Sequence, residues 1–424
     1  MDAENTTNAD GFGRPRAWFN ILNRAWRATY PLGTEIRLDK DDLIRQARKR
    51  TGLQLLGPGF DDEPLVRLLD SINTEAGLHP AGRFITRERL VGLLSIRLRA
   101  EYFFSRHPEI LGQELYPAWI IVGIQRTGTT KLHRMLSADP GHRIIPSWEV
   151  INPVPLDITE KAKDSRIAVA KRAARALKLI SPEFYAIHPI EIFEPEEDVL
   201  LLEVSFMSTI PEAMMQVPSY ASWLESADQS AAYAYAVKLL KFLQWRKPAR
   251  RWVLKSPHHL EFLEIIEKQF GDVHFIWNHR QIHESVPSFL SMVTCNHMIF
   301  SDRVGRDRIA AHWVRKNGYM LQKAIEYRLK EGNDRKFTDI FYHDFITEPV
   351  GELSRLYRLN GGLSPELAER FRQHEKEHPY RKYGAHRYSL QDFGLTGTMI
   401  DRHTARYQEF IRTLHERRKG TEVQ

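Results

Sequence analysis

The sequence predicts an α/β fold in three layers, a central parallel β-sheet flanked by helices, and three observations carry that expectation. Short apolar runs rich in β-branched and aromatic residues recur at 117–123 (PAWIIVG), 251–255 (RWVLK) and 273–277 (VHFIW). Such runs suit strands buried on both faces. Each leads into helix-like sequence, and strands that alternate with helices favour a parallel sheet. Finally, a glycine-bearing turn at 123–130 (GIQRTGTT) joins the first run to the helical segment KLHRMLSAD, the strand, loop and helix order of a P-loop. Residues 337–342 read as a further strand and 143–145 as a short one.

Around this centre the chain divides into unequal parts. Residues 1–13, rich in Asn, Thr, Asp and Gly, read as a disordered tail. Residues 14–110 read as a helical lead-in packed on the core, with helical patterns in DKDDLIRQARKR, EPLVRLLDSINTEA and TRERLVGLLSIRLRAEYFF. Residues 111–424 form the α/β domain, interrupted at about 157–250 by a helical insertion. Within the insertion, the basic segment 160–178 is expected to act as a flap over an acceptor site. In the lead-in, residues 14–30 place Trp18, Leu22, Ala25 and Thr29 on one helical face with Arg16, Arg24 and Arg27 around it. A basic helix of this kind packs onto the main body or lies on an anionic membrane.

Composition narrows the function. The 424 residues carry a formal net charge of +7, spread along the chain rather than gathered in a tail; this mildly favours anionic partners and does not single out nucleic acid. The single cysteine, Cys295, cannot form an intramolecular disulfide and reads as a buried, inert thiol, consistent with a reducing compartment. The acidic start MDAENTTNADGFG is unlike a signal peptide, and no run approaches the roughly 18 apolar residues of a membrane span. A cytoplasmic location is expected. Oligomeric state is not legible.

The turn at 123–130 is the strongest chemical signal. Backbone N–H groups of such a loop point at a phosphate at the positive end of the helix dipole, and Gly128 permits close approach. Arg126, Thr127, Gly128, Thr129 and Thr130 are therefore candidate anion-binding residues. Nucleoside triphosphatases place Lys where this chain has Thr129, and use it on the β- and γ-phosphates beside a metal. A P-loop small-molecule kinase using ATP and Mg²⁺ is thus the competing reading rather than the leading one.

The segment IVGIQRTGTTKL resembles the 5′-phosphosulfate loop of sulfotransferases that use 3′-phosphoadenosine-5′-phosphosulfate (PAPS), with Gln125 and Thr127 departing from the usual P-K/R-S-G-T-T. A second resemblance lies about 150 residues on, where Arg280 ends a strand and Ser288 follows eight residues later. In that family such a pair grips the 3′-phosphate, although the usual Arg-Asp-Pro is Arg280-Gln281-Ile282 here. A planar guanidinium fork and a helix hydroxyl suit phosphate oxygens. A third, WVLKSPHHL, resembles the L-K-S-P-x-H-L stretch of bacterial members and places Lys255 near the transferred group. Similarity continues weakly at HPYRKYGAHRYSLQDFGL.

The resemblance implies transfer of a sulfuryl group from PAPS to an acceptor hydroxyl with release of PAP, Arg126 and Lys255 stabilising the leaving phosphate without a metal. The acceptor is left open among small molecules, lipids and carbohydrates. A hydroxyl acceptor needs a base. Glu149, 23 residues beyond Arg126, resembles the catalytic Glu of the heparan sulfate enzymes; His188 is the alternative, because phenol and steroid sulfotransferases use His. In the acidic run EPEED, Glu196 or Glu197 is read as a solvated helix start or an acceptor-orienting group. His258 and His259 do not read as metal ligands, since adjacent helical residues diverge by roughly 100° and no ligand partner sits at suitable spacing.

Overall fold

Five parallel strands stand at the centre of the computed structural model: β1 (Ala118–Val122), β2 (His142–Arg143), β3 (Arg251–Lys255), β4 (Val273–His279) and β5 (Phe337–Phe341), in the spatial order β2-β3-β1-β4-β5. The structure describes residues 15–32, 36, 38–159, 164–378 and 389–422. The expected tail at 1–13 and most of the weak C-terminal similarity lie outside them.

Side-chain alternation builds the three layers. Along β1, Ala118, Ile120 and Val122 enter a large apolar cluster on one face, while Trp119 and Ile121 enter a smaller one on the other. Trp252 and Leu254 oppose Val253 on β3 in the same way, as Phe275 and Trp277 oppose Ile276 on β4. A strand whose faces are both covered favours apolar side chains along its middle, and the buried polar residues Lys255, Asn278 and His279 fall at the carboxyl ends of β3 and β4. Trp252 and Trp277 are fully buried, and burying a side chain of this size stabilises the fold by at least roughly 1.5–3 kcal/mol.

Helix Thr129–Leu136 covers the smaller face with Leu132, Met135 and Leu136. On the larger face lie the lead-in helices, among them Pro80–Arg106, and those of the insertion, from Arg166–Ile180 to Ser230–Arg246. His79 caps Pro80–Arg106 by accepting the Gly82 amide proton at 2.9 Å. Strand β2 is shorter than the sequence suggested, because the chain leaves the sheet after Arg143 and Pro146 forms an antiparallel bridge with Pro195. In helix Ala17–Ala28 it is Phe19 and Asn23 that face the body; Trp18, Ile21, Leu22 and Ala25 are exposed.

The strand order reverses beside β1, because β2 and β3 lie on one side of it and β4 and β5 on the other. Ligands of open α/β sheets bind beyond the carboxyl ends of the strands at such a switch point. Register aligns the relevant ends: Lys255 lies level with Ile121, and Trp277 with Val122. The loop after β1, the end of β3 and the end of β4 therefore share one rim.

Candidate active site

Beyond Val122 the backbone turns sharply. Gly123 has φ 142°, and a Cβ there would come within 2.6 Å of the Asn278 carbonyl oxygen on β4. Gly128 has φ 89°, and a Cβ would meet the Tyr342 ring at 3.0 Å. Both positions need glycine for conformation and for space. Between them the buried Thr127 hydroxyl donates to the Ile124 carbonyl at 2.7 Å, closing the turn, and Thr129 opens the helix. Thr129 is buried and Thr130 exposed.

Arg126 sits in the left-handed region at φ 67°, a conformation that disfavours a residue bearing a Cβ by about 1 kcal/mol or more. Contacts on both its backbone and its side chain hold it there. Its carbonyl oxygen accepts from Arg280 Nη1 at 2.9 Å, and its own Nε donates to Ser288 Oγ at 3.1 Å. The Arg280 guanidinium lies 4.0 Å above the centre of the Tyr342 ring, the ring that closes over Gly128, and its Nε donates to Glu284 at 3.0 Å. Arg126, Arg280 and Ser288 thus converge beside the loop. Two guanidiniums and a hydroxyl are a donor set that fits a phosphate.

The loop helix is pinned from beneath. His133 is fully buried and its Nε2 meets the Val253 carbonyl of β3 at 3.1 Å, which makes that nitrogen the donor. Burial, helped by the Lys255 charge, pulls the imidazole down to about 3, so it is neutral near pH ~7.

Lys255, 2% exposed, holds Glu197 through Nζ at 2.7 Å. Its amide donates to Asp198 Oδ1 at 2.9 Å, Asp198 Oδ2 accepts from His259 Nε2 at 2.8 Å, and the Tyr233 hydroxyl lies 2.9 Å from His259 Nδ1. Burial alone would raise the Asp198 carboxyl; the His259 charge and these hydrogen bonds outweigh it and hold it below its usual value. His258 turns instead toward Gln229 at 3.1 Å. The two histidines belong to different contacts, and among the described residues no cluster of metal-ligating side chains forms.

Glu149, on the short helix Ser147–Ile151, is 6% exposed and accepts from Arg143 Nη2 at 2.5 Å. That helix is tied to the acidic segment 191–198, a strap beside it, since the Ser147 and Trp148 amides donate to the carbonyls of Glu194 and Ile192 and the Glu196 amide donates to the Ile145 carbonyl. His188 follows helix Pro182–Ile187 and is half-buried. Burial acts to raise the Glu196 carboxyl, and the nearby His188 and Lys255 charges bring it below its usual value. Both base candidates therefore border the strap that grips Lys255.

A sequence model of the sulfotransferase family matches residues 117–362, from the first strand to beyond the last. The chain belongs to the sulfotransferase family. Among its relatives, the omega-hydroxy-beta-dihydromenaquinone-9 sulfotransferase Stf3 of Mycobacterium bovis is 24% identical over 313 residues, covering 68% of this chain and 75% of that protein; its Mycobacterium tuberculosis counterpart matches equally. The crystal structure of sulfotransferase STF1 from Mycobacterium tuberculosis superposes with a TM-score of 0.76 at 29% identity, over 87% of this chain and 99% of that one. STF9 from Mycobacterium avium gives 0.79 at 25% identity, over 88% and 97%. The family match does not favour the kinase reading.

Three contributors to this candidate site escaped the sequence. Tyr342, immediately after β5, supports both Gly128 and Arg280, yet reads only as the end of an apolar run. Asp198 sits in EPEED, where nothing in spacing separates the residue that bonds the Lys255 amide from its neighbours. Arg143, the partner of Glu149, reads as the start of a strand.

Proposed function

We propose that the chain transfers the sulfuryl group of PAPS to a hydroxyl of a small or lipid-like acceptor, releasing PAP. The convergence of Arg126, Arg280 and Ser288 beside the glycine loop carries this reading, because a second phosphate-binding cluster next to the loop matches a nucleotide that bears a phosphate on its ribose as well as at its 5′ end. Bound PAPS supplies an activated sulfuryl group, whose S–O bond to the 5′-phosphate breaks as the acceptor oxygen bonds to sulfur.

The chain's own residues then have separable roles. The loop amides and the hydroxyls of Thr129 and Thr130 hold the 5′-phosphate; Arg280 and Ser288 hold the ribose phosphate. Arg126 and Lys255 offset charge on the leaving oxygen. Glu149 accepts the acceptor proton through the carboxylate oxygen that Arg143 does not occupy, while Arg143 fixes its orientation. The His259–Asp198 pair positions the strap and so the Glu197 carboxylate that holds Lys255. A relative named for a menaquinone derivative favours a lipid-like acceptor over a carbohydrate. The outward face of Trp18, Ile21 and Leu22, ringed by Arg16, Arg24 and Arg27, supports contact with an anionic membrane that would hold such an acceptor.

Thermal shift and calorimetry with PAP, PAPS and ATP-Mg²⁺ side by side test the reading. PAP and PAPS stabilise the protein and ATP-Mg²⁺ does not; stabilisation by ATP-Mg²⁺ alone would overturn it. Transfer of labelled sulfate from PAPS to lipid extracts identifies the acceptor.

A further inference from the structure

A cavity of about 350 Å³ lies between helix Pro80–Arg106, the end of helix Ser147–Ile151 and helix Arg166–Ile180. Its walls are mixed, with apolar Leu93 and Ile96 on one side, apolar Val150, Val169 and Leu200 on the other, and polar Ser95, Asn152 and Glu203 among them. Val150 directly follows Glu149, and Leu200 stands two residues after Asp198, so one wall is continuous with the elements that carry the proposed base and the Lys255 strap. Cavities of this size and lining take small ligands.

Three arginines also line it, and among the described residues only one of them lacks an acidic partner. Arg50 is paired with Glu88 and Arg89 with Glu203. Arg99 is 6% exposed, and its Nε has no hydrogen-bond partner among the described residues. Burial, aided by the charges of Arg50 and Arg166, draws this guanidinium down to about 10, which leaves it cationic near neutral pH. A buried cation without a carboxylate is costly to hold, and the natural compensation is an anion supplied from outside. Gly92 lies about two turns before Arg99 on the same helical face, and a Cβ on it would meet nothing within 4 Å. Its lack of a side chain widens the cavity in the middle of a helix that would otherwise favour alanine.

We propose that this cavity is the acceptor site and that it selects an amphipathic acceptor, its apolar body between Leu93 and Val150, its carboxylate or phosphate on Arg99 and its hydroxyl toward Glu149. The proposal rests on the sulfuryl-transfer reading of the adjoining site and adds the class of acceptor to it.

Two probes separate charge from shape: ω-hydroxydodecanoate, and the α,ω-dodecanediol of equal length, each titrated by calorimetry into the protein with PAP bound. Arg99→Gln weakens the hydroxy acid about tenfold to a hundredfold and the diol by less than about twofold. Arg99→Lys restores part of the loss, and Gly92→Leu weakens both probes together. PAP affinity and melting temperature, measured on the same variants, report that the fold and donor site are intact. Equal effects of Arg99→Gln on both probes, or no binding of either probe to a wild-type protein that binds PAP, overturn the acceptor assignment. Failure of the wild-type protein to bind PAP instead overturns the donor reading.

Discussion

Arg126 and Ser288, 162 residues apart in sequence, are joined by a hydrogen bond of 3.1 Å that closes the phosphate loop onto helix Ile282–Phe300. Arg280 completes the junction through the Arg126 carbonyl. The strained φ of Arg126 is held by the same residues that are proposed to receive the ribose phosphate, so loop conformation and the proposed nucleotide recognition share one set of contacts.

Arg280→Ala is expected to weaken PAP binding by about 1.5–3 kcal/mol, roughly tenfold to a hundredfold or more, through loss of a charge-assisted phosphate contact. Adenosine 5′-phosphosulfate, which lacks the ribose phosphate, should lose much less. Calorimetry with both ligands decides the matter, and equal losses would contradict the role given to Arg280.

Glu149→Gln tests the base while sparing the fold. The amide oxygen of Gln still accepts from Arg143, whereas Glu149→Ala would leave a buried guanidinium unpaired at a cost of about 3–5 kcal/mol. The Gln variant should lose about 10²–10⁴-fold in kcat and keep its PAP affinity. His188→Ala should lose less than about tenfold. Near-normal turnover by Glu149→Gln, with His188→Ala inactive, would transfer the role to His188.

Acid should destabilise the protein through histidines that are buried and neutral. Burial pulls His133 to about 3 and His297, whose Nε2 donates to the Glu212 carbonyl at 3.0 Å, to about 4. The unfolded chain takes up these protons near pH ~6.5 and the native state does not. The stabilisation is therefore complete above about pH 6.5 and declines as pH falls, by about 1.4 kcal/mol per pH unit for each histidine. By pH ~4 each has removed roughly 3 kcal/mol. Glutamine can donate to the same carbonyls without titrating, so urea unfolding of His133→Gln and His297→Gln between neutral pH and pH ~4.5 should show shallower losses than the parent. Parallel pH profiles would refute this account.

Trp18, Ile21 and Leu22 are 43%, 65% and 48% exposed. Replacing all three by Ser should leave the melting temperature unchanged, since none of them is buried against the body, and should lower partition onto vesicles of phosphatidylcholine and phosphatidylglycerol by at least about tenfold. Added salt should weaken wild-type partition as well. Unchanged partition would remove the membrane from the picture.

The sequence alone pointed to the parallel sheet, because the middles of β1, β3 and β4 are apolar on both faces and each leads into a helical pattern, as strands covered by helices on both sides do. It determined the loop as well: Gly123 and Gly128 are demanded by a local turn whose chemistry is written in eight consecutive residues. Arg280 and Ser288 were legible through their resemblance to a family pattern, not through any local rule. Tertiary structure decided the rest. That Tyr342 supports both Gly128 and Arg280, that Arg143 clasps Glu149, and that Asp198 links the Lys255 amide to His259 all depend on strand order and register, which bring distant segments to one rim. The apolar face of helix Ala17–Ala28 points outward for a similar reason. Periodicity marks a stripe on a helix, but only the neighbouring surface fixes which stripe is covered, and here Phe19 and Asn23 occupy that place.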